Sequence, residues 1–102
     1  MIFPRFGLLF LFAALLAAQK VPLATFTGTV RSASNKRITI ENQEGNLVDF
    51  DITGKTRVMN GKKKIRAEDL KVGDEVSVEA HEEIRLLGQY LVADVITLMP
   101  AP

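Results

Sequence analysis

The single histidine is the residue of this sequence best suited to metal binding or proton transfer, because an imidazole changes its charge near neutral pH. Glu79 precedes His81, and Glu82 and Glu83 follow it. Residues two apart on a strand point to the same side, so Glu79, His81 and Glu83 would share one face. One imidazole and two carboxylates could hold a divalent cation weakly. The plainer interpretation is a set of exposed charges around the end of a strand.

Lys62, Lys63, Lys64 and Arg66 form the only dense cluster of basic residues. These side chains could bind an anion, which would be a phosphate, an anionic lipid or an acidic polysaccharide. The plainer interpretation is a solvated loop without a specific ligand. Nucleic acid is disfavoured as a partner, because the sequence places no aromatic residue where bases would stack on the outer face of a barrel.

A group of apolar residues follows the histidine and consists of Ile84, Leu86 and Leu87, with Tyr90 close behind. Connections between strands are usually polar, so an apolar one calls for an explanation. Two explanations remain open. Either the last two strands extend beyond the domain and cover each other's side chains, or the group is a contact surface for a partner protein or a second copy.

No combination of residues has the pattern of a catalytic site. The chain has no cysteine, which excludes disulfides, thiolate metal ligands and cysteine nucleophiles. Asp49 and Asp51 would share a strand face, but a polar face does not supply the raised pKa that one member of a catalytic carboxyl pair needs. We therefore predict no catalytic residues, no enzymatic activity and no cofactor.

The first 18 residues have the order of a secretory signal peptide. One positive charge at Arg5 precedes an apolar stretch over residues 6–16, and the small residues Ala17 and Ala18 follow. We predict cleavage after Ala18 and a periplasmic or secreted location. Retention as an anchor is the alternative, but the apolar stretch is shorter than the roughly 20 residues that span a bilayer. We therefore expect no membrane span after cleavage, and the cleaved chain has no net charge that would favour a polyanion.

The remaining chain is predicted to contain a short exposed lead over residues 19–23, one domain over residues 24–99 and a tail over residues 100–102. Alternation of apolar and polar residues predicts the strands. Three strands form an antiparallel meander, a linking stretch follows, and a helical turn leads to two more strands. The predicted ranges are 24–31, 37–41 and 47–52 for the meander, 56–59 for a short linking strand, 67–70 for the helical turn, and 76–80 and 89–98 for the last two strands.

Three positions predict departures from regular strands. Gly28 lies inside the first strand, which indicates a bulge, a strong bend or a close backbone approach. Gly73 indicates a sharp corner before the fourth main strand, with Leu70 and Val72 closing the end of the barrel. In the last strand the apolar residues change face, which predicts either a bulge near Asp94 or burial of both faces.

A meander of three strands, a helical turn and two further strands is the order of an OB-type barrel. We therefore predict an all-β fold, a small five- to six-stranded OB-like antiparallel barrel with a short helical turn before the fourth main strand.

The sequence also resembles a bacterial family of exported domains of unknown function with an OB-like β-barrel. The resemblance covers nearly all of the chain after the predicted signal peptide and depends on the order of its short runs. It implies the same fold and compartment and carries no catalytic residues. The runs are Phe26-Thr27-Gly28-Thr29-Val30, Ile38-Thr39-Ile40, Phe50-Asp51-Ile52 with Thr56, Asp69-Leu70-Lys71-Val72-Gly73-Asp74-Glu75-Val76-Ser77-Val78-Glu79-Ala80, and Ala93-Asp94-Val95-Ile96.

These observations favour an exported, non-catalytic binding or interaction module of the bacterial envelope, with an envelope protein as the candidate partner. One alternative is a periplasmic binder of a small ligand, either a divalent metal or an anion. A second alternative is a nucleic-acid-binding OB domain.

Overall fold

A computed structural model of the protein describes residues 22–100. The predicted signal peptide and its cleavage site lie outside these residues. The described part contains seven strands and one 3-10 turn, and none of its helices could cross a membrane. The strands are β1 (Ala24–Ala33), β2 (Arg37–Glu41), β3 (Leu47–Asp51), β4 (Arg57–Asn60), β5 (Lys63–Ile65), β6 (Glu75–Arg85) and β7 (Gly88–Leu98), and the 3-10 turn is Ala67–Asp69.

The strands form a closed five-stranded barrel with two extra strands, which confirms the predicted OB-like fold. Around the barrel the order is β3, β2, β1, β6 and β7, with antiparallel pairing between these neighbours. A parallel contact between Asp51 of β3 and Val92 of β7 closes it. Beyond that contact, β4 runs parallel to β7, and β5 is the last strand of the sheet among the described residues.

The first strand bends so that it can pair with two neighbours. Its first part pairs with β6 and its last part with β2, and the pairing with β2 shifts register at Arg31. At Gly28 a Cβ atom would lie 2.6 Å from the carbonyl oxygen of Glu41. Of the predicted explanations, close backbone approach therefore applies to Gly28, whereas the bulge lies at Arg31.

The barrel is filled by the inward-facing apolar residues of β1, β2, β3, β6 and β7, many of which are inaccessible to solvent. Phe50 is fully buried and meets the ring of Phe26 edge to face, with 5.1 Å between the ring centroids. The largest buried side chains are Phe50, Ile38, Ile40, Ile96, Val30, Val76 and Val78.

The corner before β6 is held by its backbone. The amide of Gly73 donates to the carbonyl of Val30 at 2.9 Å, and the amide of Val30 donates to the carbonyl of Asp74 at 2.8 Å. Leu70 is buried in the core with 6% of its surface exposed, which agrees with its predicted place at the end of the barrel. The same prediction for Val72 is wrong, because this residue lies in the outward turn and is 68% exposed.

The last strand, β7, contains a bulge at Asp94, which was one of the two predicted alternatives, the other being burial of both faces. Glu79 pairs with Val95 while Ala80 pairs with Ala93, so Asp94 has no partner opposite it. The bulge keeps Ala93 and Ile96 buried on the same side. The hydroxyl of Thr56 donates to the carbonyl of Ala93 at 2.6 Å and so stabilises the irregular backbone.

Candidate interaction surface at the β6–β7 ribbon

Beyond the barrel, β6 and β7 continue as a two-stranded ribbon over residues 81–92. Strand β6 pairs with β1 only as far as Ala80, opposite Ala24, and β7 pairs with β3 only at Val92. Within residues 22–100, the two strands of the ribbon therefore pair with each other and with little else. The register ends at the pair of Arg85 with Gly88, which leaves Leu86 and Leu87 as the connecting turn.

The end of this ribbon is apolar and uncovered by the described residues. Leu86 is 100% exposed, Leu87 87% and Ile84 82%. We call these three residues the tip. One of the two predicted explanations was that the two strands cover each other's side chains. The exposure of the tip shows that they do not. Tyr90 differs from the tip, because it is half-buried and lies under the guanidinium of Arg85, 4.7 Å from the ring centroid.

Charged residues at the base of the ribbon are joined through His81. Its Nδ1 lies 2.6 Å from Oδ2 of Asp94, and its Nε2 lies 3.0 Å from Oε2 of Glu83. Two carboxylates can both accept from one imidazole only when both ring nitrogens carry protons. The arrangement therefore favours the imidazolium, and the bond to Asp94, followed by the bond to Glu83, raises the pKa of His81 above its ordinary value.

The network continues from Glu83 to the barrel. Arg85 donates to Glu83 at 3.0 Å and to Asp51 of β3 at 3.0 Å, and Arg37 of β2 lies 3.6 Å from the other oxygen of Asp51. The bond from His81, followed by the bond from Arg85, lowers the pKa of Glu83. Because Asp51 lies at the parallel closure of the barrel, these contacts tie the projecting ribbon to the domain.

The structure brings together only two of the three residues of the predicted metal site. His81 and Glu83 meet, but the second carboxylate is that of Asp94 and not that of Glu79. No three residues of the types His, Asp and Glu are arranged to hold a metal ion within residues 22–100. Sequence reasoning did not assign Asp94 to a site, although the possible bulge at this residue was a signal that it could leave the regular strand face.

The basic cluster is located at the opposite end of β7 from the tip. Lys62 lies in the turn between β4 and β5, and Lys63 and Lys64 lie on β5. Asn60, at the end of β4, is level with Leu98, at the end of β7. Since β7 begins next to the tip, its 11 residues separate the two features by about 33 Å at the usual rise per residue. The cluster and the tip are therefore independent surfaces.

The outer face of β2 and β3 does not have the character of a nucleic-acid site. Phe26 and Phe50 pack against each other within the barrel, so neither ring is available to stack on a base. The face instead carries paired polar groups, among them Thr39 with Asp49 and Arg37 with Asp51. Stacking on aromatic rings is a main source of affinity for single strands, and the outward-facing residues of β2 and β3 include no aromatic ring.

Comparison with known proteins found no matching family model, no matching curated protein and no matching solved structure.

Proposed function

We propose that the protein is a non-catalytic interaction module whose contact surface for another protein is the tip of the β6–β7 ribbon. The observation that carries the proposal is the exposure of Ile84, Leu86 and Leu87, which are the three most exposed large apolar residues described. Burying an apolar side chain of this size stabilises a complex by about 1.5–3 kcal/mol. Adjacent leucines at the end of a projecting ribbon suit a pocket on a partner.

The base of the ribbon supports this function by limiting the motion of the tip. From β6, His81 bonds to Asp94 of β7 and Arg85 bonds to Asp51 of β3, and both also bond to Glu83 of their own strand. A surface that is already ordered loses less conformational entropy on binding than a flexible loop does. The network thus favours a binding role for the tip over that of a loose connection.

We further propose that the module acts in the bacterial envelope. The order of charged, apolar and small residues over residues 1–18 supports export. The absence of cysteine fits an exported bacterial domain that is stable without disulfides. The partner would then be an envelope protein with an apolar pocket.

The test replaces Leu86 and Leu87 together by serine. A photoreactive amino acid at position 84 is used to crosslink the protein to its neighbours in intact envelopes, and the crosslinked protein is identified and purified. We expect the purified partner to bind the wild-type chain and to bind the double variant at least about 100-fold more weakly, from two buried leucines. Thermal unfolding of the variant should remain near that of the wild type, because both side chains are exposed.

The matched control is the double variant Leu47→Ser, Val72→Ser, which removes two exposed apolar side chains elsewhere on the surface. It should bind the partner as the wild type does. Equal binding by the wild type and the tip variant would overturn the proposal. Crosslinks that join only copies of this chain would also overturn it and would indicate self-association through the tip.

A further inference from the structure

The hairpin of β4 and β5 concentrates the positive charge of the domain. Of the Lys and Arg side chains in residues 22–100, six lie in the stretch from Lys55 to Arg66, which contains no Asp or Glu. We call residues 55–66 the basic hairpin. All 12 acidic residues of the chain lie outside it, whereas the rest of residues 22–100 contains only five basic residues. A nearly neutral domain therefore has a strongly positive end.

The charges of the basic hairpin are not compensated by contacts with carboxylates. None of the ion pairs found within residues 22–100 includes a side chain of this segment. Lys62, Lys63, Lys64 and Arg66 are all exposed. The other arginines of the described residues are paired, as in Arg31 with Glu41 and Arg85 with Asp51. The free cations of the hairpin are therefore available to an external anion.

The hairpin presents its cations along an open strand edge. Strand β5 is the last in the sheet order of the described residues, and Lys64 lies opposite Met59 while Lys63 lies opposite Asn60. Successive residues of a strand point to opposite faces, so cations line both sides of the edge over the length of β5. Repeated charge along a line matches a linear polymer better than a single small anion.

From this arrangement we infer a second binding site, in which the basic hairpin binds a linear polyanion, a polymer that carries phosphate or carboxylate groups along its length. The site is separate from the tip and does not depend on the function proposed for it. A membrane surface is disfavoured, because the turn at Asn60 and Gly61 has no exposed apolar side chain to insert. Among such polymers, single-stranded nucleic acid is disfavoured, because the basic hairpin has no aromatic residue on which a base could stack.

Lysine on an edge strand also has a simpler role, since its charge prevents the open edge from pairing with another chain. The two roles differ in what they predict. Protection of the edge requires no ligand and predicts aggregation when the lysines are neutralised. Polyanion binding predicts saturable, salt-dependent complexes of the wild-type protein.

The experiment measures binding of the purified protein to inorganic polyphosphate and to polygalacturonate, which separate the two sources of negative charge. Binding to at least one of them is expected, and the slope of log affinity against log salt should lie between about −2 and −4, from up to six cations. This corresponds to a loss of roughly 16- to 250-fold between 50 and 200 mM salt. An oligothymidylate of equal charge and vesicles of phosphatidylcholine with phosphatidylglycerol serve as the other ligands.

The variant Lys62→Gln, Lys64→Gln should bind the polymer roughly tenfold or more weakly at 50 mM salt and should flatten the slope by about 1.4. The matched control is Lys36→Gln, Lys71→Gln, which removes two exposed lysines outside the basic hairpin and should bind as the wild type does. The tip variant should also bind the polymer normally. The proposal is overturned if neither polymer binds at 50 mM salt, if both double variants lose affinity equally, or if vesicles or oligothymidylate bind more than tenfold tighter than both polymers.

Discussion

Asp94 contacts His81 at the point where β7 contains one residue more than β6. The bulge leaves Asp94 without a partner across the ladder and places its carboxylate 2.6 Å from Nδ1 of the imidazole. The other ring nitrogen lies 3.0 Å from Glu83. The irregular pairing and the charged network thus meet at one residue, Asp94, at the base of the ribbon.

This relationship predicts how stability depends on pH. The pKa of His81 is raised in the folded protein. Its contribution to the free energy of unfolding is therefore complete below its ordinary pKa of 6.5 and is lost as the pH rises through the pKa of the folded state. The pKa of Glu83 is lowered, so its contribution is complete above its ordinary pKa of 4.5 and is lost as the pH falls through the folded value. Both contributions are therefore fully present between about pH 4.5 and 6.5.

NMR titration of untagged protein can test this directly, because the chain has one histidine. We expect the His81 pKa to exceed 6.5, and we expect Asp94→Asn to lower it, since the asparagine supplies no negative charge. Asp49→Asn is the control, because Asp49 bonds to Thr39 and not to His81. A titration midpoint at or below 6.5 in the wild type, or the same midpoint in Asp94→Asn, would contradict the arrangement.

The corner before β6 should be sensitive to substitution of its glycine. Gly73 has a φ of 99°, where residues with a Cβ are strained, and a β-branched residue is strained most. We expect Gly73→Val to lower the free energy of unfolding by at least about 1–2 kcal/mol, as measured by urea denaturation. Gly54→Ala is the matched control, because a Cβ there meets no atom within 4 Å and Gly54 has no positive φ. Equal stability of both variants would show that the corner does not need glycine.

The bulge should depend on Thr56. Its hydroxyl donates to the carbonyl of Ala93 and accepts from the amide of Thr53. Thr56→Val keeps the shape of the side chain and removes both bonds, which should cost about 1–3 kcal/mol of the free energy of unfolding. Thermal unfolding provides the measurement, and Thr25→Val, at an exposed position of β1, provides the control. If the two variants unfold at the same temperature, Thr56 does not stabilise the bulge.

Local patterns in the sequence were sufficient for the fold class and for most of the elements, but they missed β5 and the extension of β6 to Arg85. Alternation placed the strands, and Gly73 marked the corner, because side-chain direction and backbone freedom are properties of a few adjacent residues. The same patterns left two alternatives at Asp94 and misplaced Val72. The environments of both residues depend on parts of the chain that are distant in sequence. That of Asp94 depends on the register of β7 with β6, and that of Val72 depends on the direction in which the turn leaves the barrel.

What the sequence alone determined is therefore the OB-like barrel, the position of the apolar tip and the position of the basic cluster, since each arises from neighbouring residues. Only the tertiary structure decided that His81 is held by Asp94 and Glu83, that Arg85 reaches Asp51, and that the tip is uncovered by the described residues. The physical reason is that these contacts join residues separated by up to 34 positions along the chain. Their distances are set by strand register and barrel closure, which no local pattern encodes.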